Sequence, residues 1–281
     1  MSFENTPVTR FELSLEIAAL PIRLIFYGAD ALMQSRWSEM YQAFCSPNHA
    51  DAPLVEAFVE PGEPFLPFQP PTWRIETSTQ DGRIDILSHL EKGWFDLNAG
   101  QGFLALRPNG NPENYLRVVY AWRCLAHEAL LLHASGVIRN GRGYVFFGHS
   151  GSGKTTLARL SSDALILSDD LVILKCEDAD DRPTVRVFGV PFRGDLPEAP
   201  RANASAPLCG LFSLVKDDHH QLEKMERHEA VGRLASCAPF VMSQPQNAQR
   251  VLKLCEKITR RVAVQSLHFR RDPAFWSVLD E

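Results

Sequence analysis

Gly148-His149-Ser150-Gly151-Ser152-Gly153-Lys154-Thr155-Thr156 is the stretch on which the reading of this chain turns. It satisfies G-x-x-x-x-G-K-[ST], follows the apolar run Tyr144 to Phe147 and precedes the helix-compatible run Thr155 to Leu160. That strand–loop–helix context is what the motif requires. Glycines let the backbone fold around a phosphate with N–H groups pointing inward, and the start of the next helix adds positive partial charge. Lys154 is the expected partner of the β- and γ-phosphates, and the Thr155 hydroxyl the expected Mg²⁺ ligand. All nine residues are candidates for holding ATP.

Working outward, Leu131 to Ile138 and Gly143 to Phe147 read as strands joined through Asn140-Gly141, a hairpin signal. The phosphate loop is therefore expected to follow a β-hairpin. Downstream, Ala164 to Ser168 is apolar strand, interrupted by Asp169-Asp170 and resumed as Leu171-Val172-Ile173-Leu174. Two carboxylates within an apolar strand are costly unless partnered. Nucleotide-bound Mg²⁺ is one such partner, and a carboxylate also takes the proton of an attacking hydroxyl. The competing reading places one or both in a turn between strands. His133 alone would be an ordinary structural histidine; its place ahead of the loop makes it a candidate.

His133-Ala134-Ser135-Gly136-Val137, the hairpin, the phosphate loop and Ser168-Asp169-Asp170 together resemble the HPr kinase/phosphorylase family, within the phosphoenolpyruvate carboxykinase-like group. The similarity covers about Leu131 to Leu174. His133 lies 154 − 133 = 21 positions before Lys154, and Asp170 lies 170 − 154 = 16 positions after it. The resemblance implies a P-loop kinase domain with a mixed sheet and flanking helices. It implies Lys154 on the phosphates, Thr155 on Mg²⁺, Asp170 as base for a substrate hydroxyl, His133 beside them and Asp169 supporting the metal. The family's later Glu-x-x-Gly-like signature is not legible. Val187 to Asp195 stands in its place, as in divergent HPr-kinase-related proteins; Asp195 is a candidate substitute metal ligand and Arg193 a candidate phosphate clamp, the alternative for each being an ordinary solvated loop charge.

The remaining chain sets the frame. A length of 281 residues suits one large domain or two smaller ones, and 45% hydrophobic residues supply a substantial core. The formal charge of −5 gives no electrostatic case for nucleic acid. Met1 to Asn5 carries no secretory n-region, and no run is long enough to span a bilayer. Six scattered cysteines without a C-x-x-C pair read as reduced thiols, and the expected location is cytoplasmic.

Residues 1–111 are expected to form a small strand-rich α+β region, a recognition or packing module. Its expected strands are Phe11–Ile17, Ile22–Phe26, Leu54–Val59, Trp73–Thr77, Arg83–Leu87, Trp94–Leu97 and Gly102–Leu106. A helix capped by Asp30 and a proline-rich Pro61–Pro71 connection complete it. Residues 112–281 are expected to form the nucleotide domain, opening with a helix from Pro112 or Glu113 to about Leu131. Pro207 to Val215 is expected to close its sheet, followed by helices over Glu226–Leu234 and Gln246–Thr259 and a strand at Val262–Phe269. Asp217-Asp218-His219-His220 reads as a polar turn rather than a metal cluster, and Arg260, Arg261, Arg270 and Arg271 as solvated surface.

The leading expectation is an ATP- and Mg²⁺-dependent kinase whose acceptor is a Ser or Thr hydroxyl of a protein or peptide, or a small-molecule hydroxyl. The alternatives are a nucleotide-binding regulatory or scaffold protein without transfer, and an ATPase. The resemblance also suggests self-association into a homo-oligomer; no nucleic-acid or membrane partner is expected.

Overall fold

The computed structural model describes residues 10–47, 49–68, 74–178, 183–197 and 199–280. The readings placed on Met1–Asn5, on Pro70 and Pro71 and on Trp73 lie outside them. The chain divides into two compact units, Met1–Val119 and Tyr120–Glu281, each with a mixed sheet.

In the first unit, β1 (Arg10–Ile17) and β2 (Leu20–Tyr27) form a hairpin turned at Ala18-Ala19, both with positive φ. Helix α1 (Ala31–Tyr41) follows, its first turn capped by Asp30 Oδ1 accepting the Met33 N–H at 2.8 Å. It buries Met33, Trp37 and Tyr41, the spacing of one helical face. Strands β3 (Leu54–Val59), β4 (Glu76–Gln80), β5 (Arg83–Leu87), β6 (Glu91–Asp96) and β7 (Gln101–Leu106) complete a seven-stranded sheet of order β1-β2-β3-β7-β6-β5-β4. Only the β2–β3 and β3–β7 pairs are parallel.

Helix α2 spans Glu113–Ala126, and the division between the units falls inside it. Its first turn belongs to the first unit because Glu91 accepts the Tyr115 N–H at 2.8 Å and Tyr115 Oη donates to the Trp94 carbonyl at 2.8 Å. The expected helix to Leu131 is too long. Glu128 takes a left-handed φ of 55°, which breaks the helix, and the buried run after it is strand.

The second unit is built on β8 (Ala129–Arg139) and β9 (Arg142–Phe147), joined by Asn140-Gly141 with both φ angles positive, as a tight primed turn needs. After α3 (Lys154–Leu160), β10 (Leu165–Ser168) and β11 (Leu171–Glu177) lie end to end along β8, pairing with its second and first halves. Next come β12 (Thr184–Phe188), β13 (Ser205–Lys216), β14 (Gln221–Lys224), α4 (Arg227–Ser236), α5 (Pro245–Arg261), β15 (Val264–Phe269) and α6 (Phe275–Leu279). The pairings β8–β9, β9–β13, β13–β12, β12–β11 and β11–β8 close a ring, with β10, β15 and β14 extending outward. The expectation that Pro207–Val215 closes the sheet is corrected: β13 is central, running parallel to both β9 and β15.

Beneath the loop 148–153, Phe146 packs against Phe212, Phe275 and Trp276 with ring centroids 5.7 to 6.2 Å apart. It is fully buried, and burial of a ring this size contributes ~1.5–3 kcal/mol. Leu157 of α3 joins the same cluster, so the loop is held at both ends by packed residues. All six cysteines are free thiols. Among the described residues, no helix is long and apolar enough to cross a membrane.

Candidate functional site

The loop 148–153 leaves the end of β9 and turns into α3. Gly153 has φ 110°, and a Cβ there would stand 2.6 Å from the Phe269 ring, so both backbone and space demand glycine. Lys154 is only 6% exposed. Its Nζ donates to the carbonyls of Gly148 and His149 at 3.1 and 3.2 Å, folding back over its own loop. Burial lowers its pKa, while Cys237 and Asp170 nearby pull it back up. His149, Ser150 and Gly151 are exposed at the loop's crest, Ser152 is buried, and Thr155 and Thr156 are half-buried.

Both aspartates lie between β10 and β11. Ser168 Oγ accepts the N–H groups of Asp170 and Leu171 at 3.2 and 3.1 Å, a local turn that bends the strand where the acids project. The backbone here is the turn between strands that the competing reading placed at this pair. Asp169 is 3% exposed and receives the Leu196 N–H at 3.0 Å and the Thr155 hydroxyl. Burial raises its pKa, the Thr155 bond opposes that, and the neighbouring Asp170 charge adds to it. Asp170 Oδ1 lies 3.3 Å from His133 Nε2, with both side chains partly open to solvent. The backbone fixes this pair, because Ala134 N–H donates to the Asp170 carbonyl at 2.9 Å and His133 pairs with Leu171 in register.

Lys154, Thr155, Asp169, Asp170 and His133 therefore meet around one loop. Asp195 does not join them through a contact of its own. It is exposed, although its neighbours Gly194 and Leu196 both press on the Asp169 carboxylate. Arg193 is exposed, and its guanidinium donates to the Pro197 carbonyl at 3.4 Å, within its own loop.

Two residues enter the site that the sequence reading passed over. Cys237, just after α4, accepts the His133 N–H on its carbonyl at 2.8 Å and the Gly148 N–H on its sulfur. Burial raises its thiol pKa, against the opposing pull of Ser236, Gly148 and Lys154. Arg233 of α4 donates to Ser213 Oγ at 3.1 Å, and Ser213 pairs with Phe147, the last residue before the loop. Neither had a signal: each stands some 80 residues beyond the loop, inside an ordinary amphipathic helix or at its end.

The donor set suits a hard cation. A hydroxyl and a buried carboxylate already in contact, with a second carboxylate adjacent, offer the oxygen ligands that Mg²⁺ takes beside a nucleotide.

The chain matches no protein-family profile and no curated protein. Among solved structures, it is similar to the Hpr(Ser) kinase/phosphatase from Coxiella burnetii at 10% identity, over 53% of this chain and 93% of that one, with a TM-score of 0.28. A likeness that slight leaves the site to be judged on its own geometry.

Proposed function

We propose that the second unit is an ATP- and Mg²⁺-dependent phosphotransferase of the HPr-kinase kind, delivering the γ-phosphoryl group to a Ser or Thr hydroxyl of a protein or peptide, or to a small-molecule hydroxyl. The observation that carries this reading is the meeting of Lys154, the Thr155–Asp169 pair and the Asp170–His133 pair at one loop. Loop N–H groups and the Lys154 ammonium hold the phosphate chain, Lys154 exchanging its two carbonyl partners for phosphate oxygens. Thr155 and Asp169 are the residues that would hold Mg²⁺, which when bound offsets negative charge on the phosphates.

Asp170 accepts the proton of the acceptor hydroxyl as its oxygen bonds to the γ-phosphorus and the bond to the β-phosphate oxygen breaks. His133, 3.3 Å from Asp170, orients that carboxylate and shares its proton.

The test is transfer from labelled ATP to a panel of hydroxyl acceptors, comparing the native chain with Asp170→Asn. Loss of transfer with nucleotide affinity retained supports the assignment; full transfer by the variant overturns the role of Asp170. Tight nucleotide binding without transfer to any acceptor instead favours a nucleotide-gated binding protein. The exposed Asp195, where a second metal ligand was expected, is the observation on that side.

A further inference from the structure

The second unit holds a cleft of about 510 Å³, and none of its lining residues belongs to the phosphate site. It runs beside α6 across the neighbouring strands β9, β13, β15 and β14. The register puts Tyr144, Phe212, Gln265 and Leu222 on one face of these strands. Phe146, two residues from Tyr144, pairs with Phe212, which pairs with Gln265; Leu267, two residues from Gln265, pairs with Leu222. Tyr144 and Phe212, each 4% exposed, form the floor, with Leu222 and the α6 residues Val278 and Leu279 half-buried along the sides. Crossing from β9 to β14 at the usual strand spacing makes the cleft ~14 Å long. An apolar floor with a few polar groups at its edge, at this volume, is the make-up of a small-molecule site.

The charge of the cleft decides what enters it. No carboxylate is among its lining residues, and its permanent charge is the exposed Arg142. The contrast with Arg139, paired with Arg142 across the hairpin, is informative. Arg139 reaches Asp163 at 2.8 Å and Asp280 at 2.7 Å, so both acids are taken. Arg142 is left with the Cys209 sulfur as hydrogen-bond partner and the Tyr144 ring 5.8 Å away. Cys209 stands where the pairing of β13 with β9 shifts register, which turns its thiol out to solvent. At the other end, His220 Nε2 faces Asp272 Oδ1 at 2.9 Å, so that acid is paired as well. Gln221 and Gln265 add neutral amides.

We propose that this cleft binds a small organic carboxylate with an elongated apolar body, its carboxylate on Arg142 and its body across Tyr144, Phe212, Leu222 and the α6 side chains. A guanidinium offers a carboxylate two parallel N–H groups, and a thiol is a weak acceptor, so the ligand displaces Cys209 from Arg142. A cationic head group would meet Arg142 and find no carboxylate. A polyphosphate would need more cations than one guanidinium and would leave the apolar floor wet. A straight chain of about ten carbons suits the span of four strands. The site stands whether or not the second unit transfers phosphate.

The experiment is calorimetric titration of the full chain with sodium decanoate below its micelle concentration, beside decylammonium, which has the same chain and the opposite charge. One equivalent of decanoate is expected to bind with a dissociation constant below about 1 mM, and decylammonium roughly tenfold more weakly. Arg142→Gln should weaken decanoate roughly tenfold, and Arg142→Glu should reverse the preference between the two probes. Arg142 is exposed, so both variants keep the fold. Asp170→Asn should bind decanoate as the native chain does, which separates the cleft from the phosphate loop. Decanoate should also slow alkylation of Cys209 by iodoacetamide, read by mass spectrometry, while Cys45, exposed in the first unit, reacts at an unchanged rate. Absence of saturable decanoate binding below about 1 mM, equal affinity in the native chain and Arg142→Gln, or binding that leaves Cys209 labelling unchanged overturns the proposal.

Discussion

Replacing Gly194 with alanine tests the metal-holding role of Asp169 without touching any charged group. A Cβ on Gly194 would lie 2.3 Å from Asp169 Oδ1, 2.6 Å from Cγ and 2.7 Å from Oδ2. Gly194 is not among the glycines with positive φ, so alanine meets no backbone penalty and acts through contact alone. Real Cβ contacts begin at 3.0 Å and become ordinary at 3.4 Å, so the carboxylate has to retreat by about 1 Å. Such a shift opens the Leu196 N–H bond at 3.0 Å and the Thr155 bond. Loss of one buried hydrogen bond to a carboxylate costs ~1–3 kcal/mol in stability. Misplacing a reacting or metal-holding group by about 1 Å costs roughly 100-fold in rate.

The expected result is about 100-fold slower transfer and loss of the Mg²⁺-dependent increment in nucleotide affinity. Metal-free nucleotide should bind within about twofold of the native chain, because Lys154 and the loop glycines are untouched. A fluorescent ATP analogue titrated with and without Mg²⁺, beside a thermal melt, reads all three. Gly232→Ala is the control: a Cβ there meets nothing, and within α4 alanine should be neutral or stabilising by ~0.5–1 kcal/mol. If Gly194→Ala retains the Mg²⁺ increment in full, Asp169 does not hold the metal.

Lys154→Gln should weaken nucleotide binding at least 100-fold, a loss of ~3 kcal/mol for charge-assisted bonds, while leaving the melting temperature unchanged or higher because a buried cation is gone; equal affinity in a direct titration would remove Lys154 from the phosphate site. Cys237→Ala strands the Gly148 N–H and should cost ~1–2 kcal/mol, whereas Cys237→Ser keeps an acceptor and should lose less than half of that; equal melting temperatures for the two variants would show that the sulfur bond contributes nothing. Glu91 is buried under the first turn of α2, and burial pushes its pKa up to about 8 against the opposing N–H bonds of Tyr115 and Asn114. A carboxyl with a raised folded-state pKa contributes stability that is full below about pH 4 and is lost as pH rises through about 8, by up to a few kcal/mol. Urea unfolding of the native chain should therefore show stability falling between pH 5 and 9, with a flatter profile for Glu91→Gln; the same slope in both would contradict it.

Much of this architecture is written in short stretches. The Asp30 cap, the Asp81-Gly82 and Asn140-Gly141 turns, and the alternation in Phe11–Ile17 are local preferences that the folded chain obeys. Where a local reading missed, tertiary contacts had overruled it. The apolar run after Ala126 suits a helix as well as a strand until Glu128 turns left-handed and Leu130 to Leu132 pair with β11. Pro207–Val215 reads as one more apolar strand, and only the pairing of β13 with β12, β9 and β15 makes it the centre of the sheet.

The loop from Gly148 to Thr156 was legible in nine consecutive residues, because its conformation depends on its own glycines and the reading placed on it rests on the lysine and threonine that follow. The acidic pair was visible for a related reason: two carboxylates inside an apolar strand are costly enough to stand out. What surrounds them was decided in three dimensions. Asp170 meets His133 through strand pairing, Asp169 is buried by Gly194 and Leu196, and Cys237 clasps both His133 and the loop from the far end of a helix. These contacts join residues up to about 100 positions apart, and no local preference records them. The sequence of this protein displays the glycine-rich loop, its lysine and the acidic pair; the packing of the sheet ring decides which other groups stand beside them.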